Sequence, residues 1–382
     1  MVDVILDSLC LKSKDALFKV LLVAYQALPK LCSLKTNTAF KNGASTMKSS
    51  TLKSSTMKAM IIKELGSTDV FQLVEKAKPV IQPGHLLIEV KATSVNPLDT
   101  MLRSIELPWS ANLPEVLHGD VAGIITEVGE GVSTFKVGDE VYGMAGGING
   151  TDGALAEFML VDARLMAKKP VTLSMRQAAA LPLVAITSYE GLVQKMNVKA
   201  GDHVLIHGAT GGVGHIAIQL AKALGAIVTA THGSASTELA KTVGADSLVD
   251  YSAESVADYV QAYTNGAGFD KIFDTVAGDN IEKSFEAAKF NGHVATILPI
   301  ADPLQIALKS LSFHSVLMLI PLVHGINHSD HGRILTEIAE LVDAGKITPI
   351  LDESDFSIWD VAKAHAHFES GTSVGKITLA NG

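Results

Sequence analysis

From Met57 onward the apolar positions fall in short runs, most of them closed by glycine, proline or an acid. Residues 57–62, 70–74, 86–95 and 119–128 read as strands, with turns at Gly66, Pro83-Gly84 and Gly129-Glu130-Gly131. Residues 137–143 add turn and strand pieces, Gly146, Gly147 and Gly150 a loop, and 153–158 a return to strand. Many short strands with glycine-marked turns predict a small barrel-like domain. Apolar residues at helical spacing follow over 175–181 and 185–193, with Pro182 between the two stretches.

The pattern then changes. Apolar runs at 203–207, 227–231, 247–251, 271–276 and 293–297 alternate with helical stretches, which predicts an α/β unit built on a doubly wound parallel sheet. Residues 312–320 are strongly apolar and read as an edge strand. An apolar edge is a hazard unless paired, so a homodimer joined there is expected. Residues 334–344 and 360–368 read as helices, and 375–379 as a final strand rejoining the first domain.

The chemistry is concentrated after the run at 203–207. Gly208-Ala209-Thr210-Gly211-Gly212-Val213-Gly214 is a glycine-rich turn between a strand and a helix, the context that a dinucleotide fingerprint requires. Gly211 and Gly212 admit a pyrophosphate close to the backbone, Gly214 lets the helix pack on the strand, and the helix N-terminus offers N–H groups to phosphate. Ala209 stands where the usual pattern has its first glycine, and Val213 completes the turn. The run at 227–231 leads into His232-Gly233-Ser234-Ala235-Ser236, with no acid before Glu238. An acid there would hold a ribose 2′-OH, so its absence, with His232 and Ser234 as donors, points to NADPH.

Composition narrows the classes. A net charge of −9 gives nucleic-acid binding no electrostatic support, and no apolar run is long enough to span a bilayer. Cys10 and Cys32 are the two cysteines, so the chain has no thiol after residue 32. Residues 1–56 form a separate low-complexity segment with eight Lys, three Asp and neither Arg nor Glu. Three readings stay open for it: a targeting presequence, an overlong gene-model start before Met57, or a genuine appendage. A cytoplasmic protein is expected, with organelle targeting by residues 1–56 as the other reading. His324, His328 and His331, with His365 and His367, read as loop and helix residues, not as a metal site.

Several motifs together carry a family resemblance. They are Met57-Lys58-Ala59, Val95-Asn96-Pro97-Leu98-Asp99, Gly119-Asp120-Val121-Ala122-Gly123, Val137-Gly138-Asp139-Glu140-Val141, the glycine turn, and Gly375-Lys376. From Met57 to its end the chain resembles a zinc-free medium-chain dehydrogenase/reductase of the quinone oxidoreductase, zeta-crystallin-like, branch. The resemblance implies a GroES-like catalytic domain over 57–182, a Rossmann NADPH domain over 183–325, and a return to the catalytic domain over 326–382. It implies NADPH-dependent reduction of a quinone or an α,β-unsaturated carbonyl. Asn96, the one catalytic candidate, and Thr187 would meet the nicotinamide end. Tyr251 would lie near the 2′-phosphate, Val276 beside the nicotinamide ribose, and Lys376 would reach the cofactor from the tail. Zinc-dependent relatives carry Cys where Asn96 stands and His near Gly119, so no metal is expected. Quinone reductases of the group often have tyrosines where Met101 and Leu107 stand, and a pocket lined by Met101, Leu107 and Trp109 is apolar. Two other readings remain. One is an enoyl-thioester or 2-alkenal reductase, for which Arg103 is the basic candidate near the cleft. The other is a non-catalytic NADPH-binding protein.

Overall fold

The computed structural model describes residues 55–107, 110–298 and 304–381; the expectations for Trp109 and for the extension before Ser55 lie outside them. Strands β1 (Thr56–Ile61) and β2 (Gln72–Ala77) pair antiparallel. Then come β3 (His85–Ser94), β4 (Asp120–Val128), β5 (Glu140–Met144), β6 (Phe158–Asp162) and β7 (Met166–Lys168). The parallel unit holds β8 (His203–His207), β9 (Ile227–His232), β10 (Ser247–Asp250), β11 (Phe269–Asp274), β12 (Ala288–Thr296) and β13 (Ser312–Ser315). The tail adds β14 (Phe356–Ser357) and β15 (Thr378–Ala380).

The first sheet runs β14-β15-β3-β4-β5-β7, with β6 also on β3. The tail therefore returns to the first domain: Leu379 sits opposite Thr93. The tail helix His328–Asp343 lies on the same domain, where the buried Tyr142 hydroxyl donates to the Leu335 carbonyl at 2.6 Å. The second sheet runs β10-β9-β8-β11-β12-β13, all parallel. Its order reverses between β8 and β11, and such a switch point opens a crevice at the carboxyl ends of the strands.

Three local expectations are corrected. The two expected helices are present, Met175–Ala179 and Pro182–Tyr189, but Pro182 opens the second instead of standing between them, its missing N–H costing no helical bond. Residues 153–157 are not strand. The N–H groups of Gly153, Ala154 and Leu155 go to the segment before β4, to the Val116, His118 and Leu117 carbonyls, and that of Glu157 goes to Lys58 in β1. A Cβ on Gly153 would lie 2.2 Å from the Leu117 oxygen, so only glycine makes that approach. Finally, β13 ends at Ser315. After it Val316, Met318 and Leu319 turn inward and are buried along the cleft described next, while Leu317 and Ile320 stay exposed, so only the first part of 312–320 forms the sheet edge.

Candidate functional site: a glycine turn facing a buried Asn–Lys–Asp network

Gly208, at the end of β8, adopts φ +86°, open to glycine at little cost. A Cβ on Gly214 would stand 1.9 Å from the Gly208 oxygen, so the helix Gly212–Ala223 can start against the turn only without a side chain there. Gly211 stands at the N-cap position of this twelve-residue helix and, having no side chain, leaves it without a side-chain cap. The opening N–H groups and the helix dipole are thus left for an anion. Gly211, Gly212 and Val213 line a cleft of about 300 Å³ together with Asn96, Thr187 and Lys376. A larger hollow of about 490 Å³, lined among others by His85, Asp162 and His328, contains none of these residues.

The opposite wall is set by the end of β3. Asn96 precedes Pro97 and caps the helix Pro97–Ser104, its backbone N–H donating to Asp99 Oδ2 at 2.7 Å. Its side chain, 1% exposed, is fixed at both ends. Nδ2 donates to Asp120 Oδ2 at 2.9 Å and Oδ1 accepts from Lys376 Nζ at 2.6 Å. The same amide also faces the Asp99 carboxyl, which its hydrogen bond lowers. Lys376 Nζ also donates to the Val95 carbonyl at 2.9 Å and lies 3.9 Å from Asp120 Oδ2. Asp120 further accepts from the Ser94 hydroxyl at 2.8 Å and from the Leu183 N–H at 2.9 Å, which ties the first domain to the helix that begins the second. Burial pushes Asp99 up to about 7, raises Asp120 and lowers Lys376.

Beneath this network His118 and His365 meet Nε2 to Nε2 at 2.8 Å, and His118 Nδ1 lies 3.3 Å from Thr93 Oγ1. One proton between two ring nitrogens requires opposite tautomers. The Thr93 hydroxyl donates to the Asp120 carbonyl at 2.6 Å, so it accepts from His118, and His365 is the donor of the pair. Burial lowers both, His365 to about 3. Of the five tail histidines, His365 thus belongs to this support. His328 bonds Asp162 and His367 bonds Asp352, and no three metal-ligating side chains converge among the described residues.

The glycine turn, Asn96, Thr187, Met101 and Lys376 share the cleft. The Thr187 hydroxyl donates to the Leu183 carbonyl at 2.7 Å, leaving its lone pairs for a donor. Ala209 is buried under the turn, and Val276, half-exposed, follows β11. His232, Ser234 and Tyr251 gather separately at the ends of β9 and β10. Leu107 is not at the cleft; it is 7% exposed and packs with Leu102, Val116 and Leu117. Arg103 is also unavailable to a ligand, being buried and bound to Glu369 and the Gly66 carbonyl. Two buried carboxylates, Asp99 and Asp120, stand behind Asn96, the one catalytic candidate of the sequence. A lone acid heading an apolar strand, as in Gly119-Asp120-Val121, was the available signal.

A zinc ion does not fit here. The oxygens that could turn to a cation at this wall, Asn96 Oδ1 and Asp120 Oδ2, already face the Lys376 ammonium, and no thiol or imidazole joins them. A dinucleotide does fit, because the turn is side-chain-free where a pyrophosphate would approach and its helix is uncapped.

The family model described as alcohol dehydrogenase GroES-like domain matches residues 82–171, and that described as zinc-binding dehydrogenase matches 243–379. A 2-methylene-furan-3-one reductase of Solanum lycopersicum is 34% identical over 325 residues, covering 83% of this chain and 77% of its own. A chloroplastic NADPH-dependent alkenal/one oxidoreductase of Arabidopsis thaliana is 30% identical, covering 84% and 78%. The solved structure of a mycobacterial quinone oxidoreductase superposes with a TM-score of 0.73 at 28% identity, over 85% of this chain and 100% of that one.

Proposed function

The chain belongs to the medium-chain dehydrogenase/reductase family, in its quinone oxidoreductase-type branch, and we propose that it reduces quinones or α,β-unsaturated carbonyls with NADPH and without zinc. The observation that carries this reading is the meeting, in one apolar cleft, of an uncapped glycine turn with an amide fixed by Lys376 and Asp120. NADPH, when bound, supplies the hydride. The backbone N–H groups opening the helix Gly212–Ala223 hold phosphate. Val316, Met318 and Leu319 exclude water around the acceptor. As the acceptor is reduced its oxygen gains negative charge, and the Asn96 amide, which lines the cleft, is the donor assigned to it. Lys376 keeps the amide from flipping and adds positive charge beside it. Water supplies the proton, to the α-carbon of an enone or to the oxygen of a quinone.

The similarity to named alkenal/one and furanone reductases supports an enone acceptor; that to a quinone oxidoreductase supports a quinone. The thioester alternative is weakened by Arg103, whose guanidinium is spent on Glu369. The test is NADPH oxidation by the full chain with 9,10-phenanthrenequinone, a short 2-alkenal, an enone and a crotonyl thioester. Turnover of a quinone or enone is expected. NADPH binding without turnover of any acceptor would instead support a non-catalytic NADPH-binding protein.

We further propose a homodimer formed through the free edge of β13, beside which Leu317 and Ile320 are exposed. Sedimentation should give twice the chain mass, and alternating Lys substitutions at Phe313 and Leu317 should give the monomer. A sedimenting monomer in the unmodified protein would refute it. The reading also keeps the protein cytoplasmic, supported by the lack of arginine in residues 1–56; a reporter carrying that segment should stay in the cytosol, and import into an organelle would overturn this.

A further inference from the structure

The acid that usually reads the adenosine ribose stands at the end of the second strand of the parallel unit, here β9, and this chain has none there. An acid does stand one strand over. Asp250 ends β10 directly opposite His232, which ends β9. The Ser234 hydroxyl donates to Asp250 Oδ2 at 2.6 Å and contacts the Ser252 hydroxyl at 2.9 Å. Ser252 donates to Asp250 Oδ1 through its hydroxyl and, at 3.0 Å, its N–H. The two serines next to the turn, which a 2′-phosphate would want as donors, are thus both turned onto a carboxylate. These hydrogen bonds, that of Ser234 foremost, hold Asp250 down at about 2, so it is ionised at every working pH. The cations near the turn do not offset it directly. Lys241 is paired with Glu238 at 2.7 Å, and Lys283 lies over the Tyr251 ring at 5.9 Å. Tyr251 caps the same turn from above, for a Cβ on Gly233 would lie 3.0 Å from its hydroxyl.

We propose that Asp250 is a specificity-determining residue that holds down the preference for NADPH over NADH, by repelling the 2′-phosphate and by occupying the Ser234 and Ser252 hydroxyls. This rests on the NADPH reading above and adds to it the residue that tunes cofactor choice. A carboxylate beside a phosphate is unfavourable even at surface dielectric, and every 1.4 kcal/mol is a factor of ten in affinity. Asp250→Asn keeps the shape and the acceptor oxygen while removing the charge.

The test is equilibrium binding of NADPH and NADH to the full chain by nicotinamide fluorescence, with adenosine 2′,5′-bisphosphate and 5′-AMP as displacing probes. D250N should tighten NADPH and the bisphosphate about fivefold or more, leaving NADH and 5′-AMP within about twofold. Asp250→Ser, which also frees the serines, should shift the same ratio in the same direction, and circular dichroism verifies that both variants fold. A ratio unchanged in both folded variants overturns the assignment of Asp250 while leaving the cofactor reading intact. Failure of the unmodified chain to bind either nucleotide overturns the cofactor reading itself, and this inference with it.

Discussion

Replacing Lys376 with methionine should destabilise the folded chain by about 3–5 kcal/mol at pH 8, the cost of leaving a buried ion pair without one partner. Lys376 is 4% exposed and Asp120 fully buried, so water cannot replace the lost ammonium. The loss should depend on pH with a definite sign. In the folded chain Asp99 titrates at about 7, against an ordinary value near 3.8, and Asp120 is raised as well. A carboxyl raised on folding contributes stability below its unfolded value and loses it as the pH climbs through the folded one. Removing the lysine raises both further, so the penalty should be small near pH 5 and grow above pH 7, by up to about 1.4 kcal/mol per pH unit for each group. The buried His118–His365 pair acts oppositely: both are lowered on folding, so they favour the fold as pH rises through the imidazole range. Lys376 is itself lowered on folding and also lowers His118, so the difference between K376M and the unmodified chain reports the whole buried network. Urea unfolding at pH 5.5, 7 and 8.5 measures it, and a penalty that does not change with pH would refute the ionic network.

Asn96→Ala is expected to lower kcat for an enone or quinone by about 10²–10³, the effect of deleting one donor to a developing oxyanion. The Asn96 amide donates to Asp120 and accepts from Lys376, which holds it in place at the cleft wall. The substitution also leaves Lys376 and Asp120 one partner short, which should cost about 1–3 kcal/mol of stability. NADPH affinity should stay within about threefold, because the glycine turn and the ends of β9 and β10 are untouched. Stopped-flow turnover and fluorescence titration separate the two effects. A variant that folds and retains full kcat would remove Asn96 from the chemistry.

What could be read from the sequence was what is local. The glycine turn, the strand before it and the helix after it lie within some twenty residues, so their spacing states their geometry. The same holds for Asn96-Pro97, where a proline fixes the first helical position and Asp99 answers three residues on. What could not be read depends on pairings across the chain. Asp120 meets Asn96 at a separation of 24 residues, Lys376 meets it at 280, and His118 meets His365 at 247. No periodicity encodes such contacts. The apolar residues after Ser315 mislead for a related reason: in sequence they look like an edge strand, but Val316, Met318 and Leu319 are buried along a cleft that both domains line. Leu107 is the converse, an apolar residue near the site in sequence that is spent on the core.

The most direct test of the central claim is the fate of the hydride. The full chain is given an enone and NADPH deuterated at the transferable C4 position, and the product is examined by NMR. The account predicts deuterium on the former β-carbon, a protium from water on the α-carbon, and an intact carbonyl. Deuterium on the carbonyl carbon of an allylic alcohol would contradict it, and would mean that the cleft polarises a carbonyl for direct reduction.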